Sequence, residues 1–305
     1  MRLGVSVRST YTLDDPRIGA RWMVERAAAA RDAGLDSLFV GDHHSTGPFG
    51  YYQNIPIMGR MLAAWHDAPA GVLMLLPLWH PVVVAEHLGT LSAVAPGRFV
   101  LQCAVGGGDA QFAALGISMR ERAHRFEHAL DVIRRLLAGE EVSEPDGPFR
   151  IEGARVAPVP PEPLEVWIGA TAPRAIDRAA RLGDGWMANA DVVATEAARQ
   201  AEQYRSACAT HGREPGVVAI RRDVHVGADA ADAARVTGPV VAAGYRGFRP
   251  EAITSGGIAE VADALRAYAV MGYTDVIVRH LAEDQGEVLR SLERLAEVRA
   301  ALADA

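Results

Sequence analysis

Arg2-Leu3-Gly4-Val5-Ser6-Val7-Arg8-Ser9-Thr10-Tyr11 decides the fold class. Its first half is a short apolar run of strand character, without the charged region and long apolar stretch of a signal peptide. Its second half argues against the main rival fold. An open doubly wound sheet announces itself with a glycine-rich turn after the first strand, and Arg8-Ser9-Thr10-Tyr11 contains no glycine. The later run Gly106-Gly107-Gly108-Asp109-Ala110-Gln111 lacks the third glycine of the dinucleotide fingerprint.

Working outward, apolar runs alternate with Ala/Leu/Arg-rich stretches of helical period. The predicted strands are Arg2–Val7, Ser37–Gly41, Ala70–Leu76, Phe99–Val105, Leu164–Gly169, Gly185–Asn189, Val217–Val226 and Thr274–His280. The predicted helices are Gly19–Ala33, Ile57–Trp65, Pro81–Ala95, Arg120–Ala138, Pro173–Leu182, Thr195–His211, Asp229–Ala243, Ile258–Met271 and Glu283–Ala303. Near-continuous apolar strands are buried on both faces, as in a parallel sheet. Eight such units in order predict an α/β fold, a single (β/α)8 TIM barrel over residues 1–305. Two stretches break the rhythm. Residues 139–163, rich in Pro and Gly, read as a loop or hairpin insertion. Residues 244–257 read as an irregular loop able to act as a lid.

Composition narrows the function. With 305 residues, half of them hydrophobic, the chain can bury a large core. The net charge of −7 and the lack of a basic stripe argue against nucleic acid as a partner. All 31 cations are arginine, which excludes Schiff-base chemistry on a lysine. Cys103 and Cys208 have no paired spacing, so a reduced, cytoplasmic protein without a structural metal is expected. The longest apolar run, Gly71 to Trp79, is too short to span a membrane.

Barrel active sites are built from the loops at the C-terminal ends of the strands. That rule selects Ser6, Asp42-His43-His44, Met74 to Leu76, Gly106 to Asp109, Gly169-Ala170-Thr171, Asn189 and Arg279-His280. The two imidazoles and the carboxylate suit acid/base work. As metal ligands they suit less well, because neighbouring side chains on an extended segment point apart. Gly106, Gly107 and Gly108 make either a tight turn or a backbone surface that a ligand can approach. Gly169-Ala170-Thr171-Ala172-Pro173-Arg174 runs from strand into helix, which suits a phosphate or an ordinary Thr cap. Trp186 reads as core filling.

Taken in order, these segments resemble one family. Leu38-Phe39-Val40-Gly41-Asp42-His43-His44, Leu73 to Pro81 with Ala85 to Leu91, and Gly97-Arg98-Phe99 with Gln111 to Gly116 are similar to bacterial luciferase-like flavin monooxygenases. So are Arg125 to Leu130 and Val166 to Gly169 with Ala179 to Trp186. The family includes relatives that use a deazaflavin, coenzyme F-420. The resemblance implies a flavin-type ring over the barrel mouth, propped by a bulge with a non-proline cis peptide at Leu73–Met74. It implies His43 at the reacting edge, supported by His44 or Asp109. It also implies a phosphate near Gly169, Ala170, Thr171, Arg174 and Asn189, with Ser6 and Gly106 to Gly108 completing the coenzyme contacts. Two features depart from the pattern. Val105 stands where luciferase has an arginine, and no lysine is present to anchor phosphate, which leaves Arg174 for that task.

The expected activity is a two-component monooxygenase. It takes reduced FMN from a separate reductase and uses dioxygen on a small organic substrate. The alternative is hydride transfer with reduced deazaflavin. A non-redox phosphate-binding or metal-dependent barrel, and an idle flavin-binding barrel, are the remaining classes. Phe49, Tyr51, Tyr52 and Trp79 are expected in the pocket wall, and 45–56, 139–163 and 244–257 in substrate contacts. Family members commonly form homodimers, here expected through Ile57–Trp65 and Pro81–Ala95.

Overall fold

Val217-Val218-Ala219-Ile220-Arg221-Arg222-Asp223-Val224-His225-Val226 forms a strand over the whole predicted range, and most of it is buried. It is the longest of the eight barrel strands in a computed structural model that describes residues 1–303. These are β1 (Arg2–Val7), β2 (Leu38–Val40), β3 (Ala70–Leu75), β4 (Phe99–Ala104), β5 (Glu165–Gly169), β6 (Gly185–Ala188), β7 (Val217–Val226) and β8 (Asp275–His280). Between and after them run α1 (Pro16–Asp32), α2 (Asn54–Leu62), α3 (Pro81–Val94), α4 (Arg122–Leu137), α5 (Pro173–Leu182), α6 (Ala194–Thr210), α7 (Ala230–Ala242), α8 (Ile258–Val270) and α9 (Gln285–Ala303). The fold is an α/β (β/α)8 barrel. No helix among the described residues is long and apolar enough to cross a membrane.

The chain forms two compact units that interleave in sequence. The first comprises residues 1–8, 17–39 and those from 167 onward; the second comprises 9–16 and 40–166. In the first unit β1 pairs with β8, β8 with β7, β7 with β6 and β6 with β5, all parallel. β7 outruns β8, and its last four residues, Asp223 to Val226, pair with Ile253–Gly256. The stretch 244–257 therefore differs from the expected irregular loop: it ends in a ladder strand, preceded by two short 3-10 turns. Arg222 secures that corner. Its fully buried guanidinium donates to the carbonyls of Ala190 at 3.2 Å and Val192 at 2.7 Å and to that of Ala252, and it lies over the Tyr268 ring at 5.3 Å. Trp186, buried in the core as expected, donates its indole N–H to the Ala170 carbonyl at 2.9 Å. His280 is buried against Ser291 at 3.1 Å, and burial pushes its pKa down to about 3.

In the second unit β3 and β4 pair residue for residue from Ala70↔Phe99 to Leu75↔Ala104. Against β4 that unbroken register leaves no extra residue for the bulge expected at Leu73–Met74. The cis bonds among the described residues lie elsewhere, at Gly47-Pro48 and Ala157-Pro158. The Leu73 carbonyl accepts a bond from Asn54 Nδ2 at 2.7 Å, and the Met74 side chain is fully buried. Thr10–Tyr11 pairs with Gly50–Tyr51 in a two-residue ladder that ties part of the expected loop 45–56. The 139–163 insertion contains the expected hairpin, Val142–Glu144 against Ile151–Ala154. Its Pro158 carbonyl rests on α3 at Gly89, where a Cβ would stand 1.9 Å away, so only glycine fits.

Candidate functional site

The second unit carries the histidines on a chain of hydrogen bonds. β2 ends at Val40, and Asp42, two residues on, turns inward to 1% exposure. Its Oδ2 accepts from the Leu75 backbone N–H and from the Trp79 indole N–H, each at 2.8 Å. Both donors are neutral, so Asp42 fastens the end of β3 and the residues beyond it to the segment after β2. Its Oδ1 lies 3.4 Å from His44 Nε2. Neither of these two atoms makes a hydrogen bond of good geometry. The His44 ring also meets Trp79 edge-on at 5.1 Å. The His44 backbone N–H donates to Gln111 Oε1 at 3.3 Å, and Gln111 Nε2 donates to the Gly107 carbonyl.

His43 points elsewhere, as adjacent residues on extended backbone do. It is exposed, its ring meets Tyr51 edge-on at 5.3 Å, and its carbonyl accepts from Gln53 Nε2 at 3.0 Å. The glycines that follow β4 hold a turn few other residues could make: φ is +69° at Gly106 and +90° at Gly108. At Gly107 an added Cβ would meet nothing within 4 Å, so the backbone there lies open. Gly108 is the N-cap of a short helix, Asp109–Ala114, which places exposed Asp109 in its first turn. Trp79, expected as pocket wall, serves Asp42 through its N–H, while Phe49 is largely exposed. Among the described residues no group of three His, Cys, Asp or Glu could hold a metal ion.

The first unit carries the segment read as a phosphate site. Gly169 and Ala170 end β5 and lead to exposed Thr171 and Arg174. The cap of α5 is Ala172, with Pro173 in the first turn and no side-chain capping bond, so Thr171 is not an ordinary cap. Asn189 follows β6 and is exposed; Ser6, on β1, is half-buried. Each of these residues sits at or near the C-terminal end of its strand.

The same unit holds a polar cluster of which the strand-end rule selects Arg279 alone. Side chains alternate along β7. Arg222 faces the helix side, so Arg221 and Asp223 share the opposite face, and the register places Arg279 of β8 beside Asp223. Arg221 Nε donates to Asp223 Oδ1 at 3.1 Å, and the Tyr245 hydroxyl donates to Asp223 Oδ2 at 2.7 Å. Burial alone would raise the Asp223 pKa, but Arg221, Arg279, the Tyr245 hydroxyl and Arg246 hold it below the usual carboxylate range. Burial, with Arg279 and Arg246 nearby, pushes Arg221 down to about 10 despite Asp223. A signal for this cluster existed: three consecutive charged residues inside an apolar strand demand buried partners.

Residues 1–303 match the family model of the luciferase-like monooxygenases. The chain belongs to that family. Among its luciferase-like relatives, the F420-dependent glucose-6-phosphate dehydrogenase of Nakamurella multipartita is 30% identical over 192 residues, 59% of this chain and 56% of the relative. The 5,10-methylenetetrahydromethanopterin reductase of Archaeoglobus fulgidus is 30% identical over 165 residues, 53% and 47% of the two chains. The chain thus spans about half the length of the curated relatives it matches. In three dimensions it is similar to the monooxygenase RslO1 of Streptomyces bottropensis, with a TM-score of 0.85 at 20% identity over 97% of this chain and 98% of that one. It is also similar to an F420-dependent secondary alcohol dehydrogenase solved with an F420-acetone adduct, with a TM-score of 0.81 at 18% identity over 99% and 98%. These two likenesses establish the (β/α)8 fold.

Proposed function

We propose that this chain is an F420-dependent dehydrogenase, which moves a hydride between that deazaflavin coenzyme and a small organic substrate carrying an alcohol. The observation that carries the reading is the character of the matched relatives, F420-dependent glucose-6-phosphate dehydrogenases that align over more than half of the chain. It displaces the monooxygenase as first choice and retains the same residues.

The residues fit a flat ring coenzyme. The open backbone at Gly107, flanked by two left-handed glycines, admits a planar group without a side-chain clash. Half-buried Leu73 is the member of the Leu73–Met74 pair able to touch a ring, since Met74 is sealed in the core. In the first unit, the Thr171 hydroxyl, Arg174 and Asn189 are exposed donors suited to a phosphate. When bound, the coenzyme supplies the carbon that accepts the hydride. His43 takes the hydroxyl proton as the substrate carbon gives up hydride, so an alcohol becomes a carbonyl compound. Its exposed ring, which meets Tyr51 edge-on, passes that proton to solvent. His44 is a positioning residue, with its ring between Asp42 and Trp79. Asp109, exposed in the first turn of the helix after the glycines, supports the histidine that takes up the proton.

Titration with F420 under nitrogen and, separately, a substrate-dependent oxygen-uptake assay with reduced FMN in air-equilibrated buffer test the reading. Tight F420 binding and substrate-dependent bleaching of its absorbance are expected. His43→Ala is expected to lower kcat by about 10² to 10⁴-fold while leaving the F420 Kd near the wild-type value. Dioxygen consumption with reduced FMN, without F420 binding, overturns it. That outcome favours the second reading, a monooxygenase fed by a separate flavin reductase, which the likeness to RslO1 supports.

A further inference from the structure

Gly41 to His44 follow β2 in neither strand nor helix, so no sheet ladder or helical turn fixes their peptide groups. The peptide that joins His43 to His44 is nevertheless held at both ends. Its carbonyl accepts from Gln53 Nε2 at 3.0 Å, and its N–H donates to Gln111 Oε1 at 3.3 Å. The cis bonds lie elsewhere, so this peptide is trans and its two polar groups point in opposite directions. The glutamines therefore grip it from opposite sides, and each presents the complementary end of its amide. Turning the peptide plane over would set donor against donor and acceptor against acceptor. Both jaws are anchored. Gln53 is the N-cap residue of α2 and makes no capping bond; the next residue, Asn54, is fully buried and donates to the Leu73 carbonyl at 2.7 Å. Gln111 is buried in the short helix Asp109–Ala114 and donates its Nε2 hydrogen to the Gly107 carbonyl, while neighbouring Phe112 packs with Leu75 and Leu78. The plane of a peptide sets the directions of the side chains on either side of it. This one sends the His44 ring to Asp42 and Trp79, and the His43 ring to Tyr51.

We propose that Gln53 and Gln111 are positioning residues that lock the His43–His44 peptide and so hold the His43 imidazole in register with the Gly107 backbone. The inference rests on the dehydrogenase reading for the task of His43, and on these hydrogen bonds alone for the clamp. Gln111 has two duties, because one amide joins the histidine segment to the open glycine turn assigned to the coenzyme ring. The proton acceptor and the coenzyme surface are thereby tied through a single side chain. Proton and hydride transfer need that fixed spacing, since a misplacement of about 1 Å costs up to about 10²-fold in rate. A carboxylate could not replace the amide, because it accepts at both ends and the Gly107 carbonyl needs a donor. Gln53 holds the other side from an exposed position, where water competes for the same carbonyl, so its share is the smaller one.

Amide hydrogen exchange at His44, read by NMR on the full-length protein without coenzyme, tests the clamp, and steady-state kinetics test its purpose. Gln111→Met fills the same space with neither donor nor acceptor. It is expected to speed exchange at His44 at least about fivefold and to lower kcat about 10- to 100-fold. Gln111→Glu keeps an acceptor for the His44 amide but turns a carboxylate oxygen on the Gly107 carbonyl. It should restore the protection of His44 while weakening F420 binding about two- to tenfold. Gln53→Met should lower kcat about two- to fivefold and leave the F420 Kd within about twofold. A general loss of structure would not separate the Met and Glu variants in this way, so equal His44 exchange in the two overturns the proposal. Wild-type exchange at His44 in Gln111→Met overturns the clamp, and wild-type kcat there overturns its part in the reaction. Should Gln111→Met fail to fold, Gln53→Met decides on an exposed side chain, and an unchanged kcat together with an unchanged ¹³C shift of the His43 carbonyl overturns the proposal. The expected exchange pattern without any F420 binding leaves the clamp standing and removes the dehydrogenase reading.

Discussion

Asp42, two residues past the end of β2, and Asp223, within β7, are both sealed carboxylates, at 1% and 0% exposure, and they are held in opposite ways. Asp42 accepts from a backbone amide and an indole, both neutral, and has a histidine at its other oxygen. Asp223 accepts from a guanidinium and a phenol, with two further arginines acting on it. The difference separates two tasks for one residue type. A carboxylate satisfied by neutral donors pins chain segments and orients its neighbours. A carboxylate outnumbered by cations anchors them without neutralising them, and leaves charge for something else to meet.

Removing Asp223 should break this contrast most severely. Asp223→Ala strands Arg221 and Arg279 in a buried setting, and breaking a buried ion pair from one side costs about 3–5 kcal/mol. Urea denaturation at neutral pH checks it. The pH dependence follows from the depressed pKa. In the unfolded chain the group titrates near about 3.9. In the folded protein it titrates lower, so the unfolded state binds more protons across the interval. The wild type therefore keeps this stabilisation above about pH 4 and loses it as pH falls through the lower folded value. The variant should lack that part of the acid sensitivity, and an unchanged acid profile would count against the charged account.

Asp42→Ala comes next. It leaves the Leu75 amide and the Trp79 indole without an acceptor, and unsatisfied buried donors cost about 1–3 kcal/mol each. Asp42→Asn should recover most of the loss, because an amide oxygen can still accept. No such rescue is expected at Asp223, where charge is the point, so equal rescue at both positions would erase the distinction. The smallest effect belongs to Trp79→Phe, which removes one of the donors to Asp42. About 1 kcal/mol of stability should be lost, together with a change in the His44 ring environment read by proton NMR.

Strand positions were legible because buried parallel strands are apolar throughout. Val217–Val226 and Arg2–Val7 match to the residue. The first helix begins at Pro16, three residues before the expected Gly19, since proline is tolerated in a first turn. Ile253–Gly256 was hidden because Ile-Thr-Ser-Gly has no apolar run; it is a strand only because β7 extends past β8 and offers an unpaired edge. Thr10–Tyr11 and Gly50–Tyr51 are too short for any periodicity. His43, His44 and the glycines could be picked out from their place after apolar strands. The work of Asp42 could not, because its partners lie 33 and 37 residues away.

By itself the sequence determined the alternation of strand and helix, and it determined that every basic side chain is a guanidinium, a group that stays charged even when buried. Tertiary structure alone decided which carboxylate meets neutral donors and which meets cations. The reason is register: parallel pairing sets Asp223 beside Arg279 across 56 residues of chain, and no local pattern encodes that neighbour.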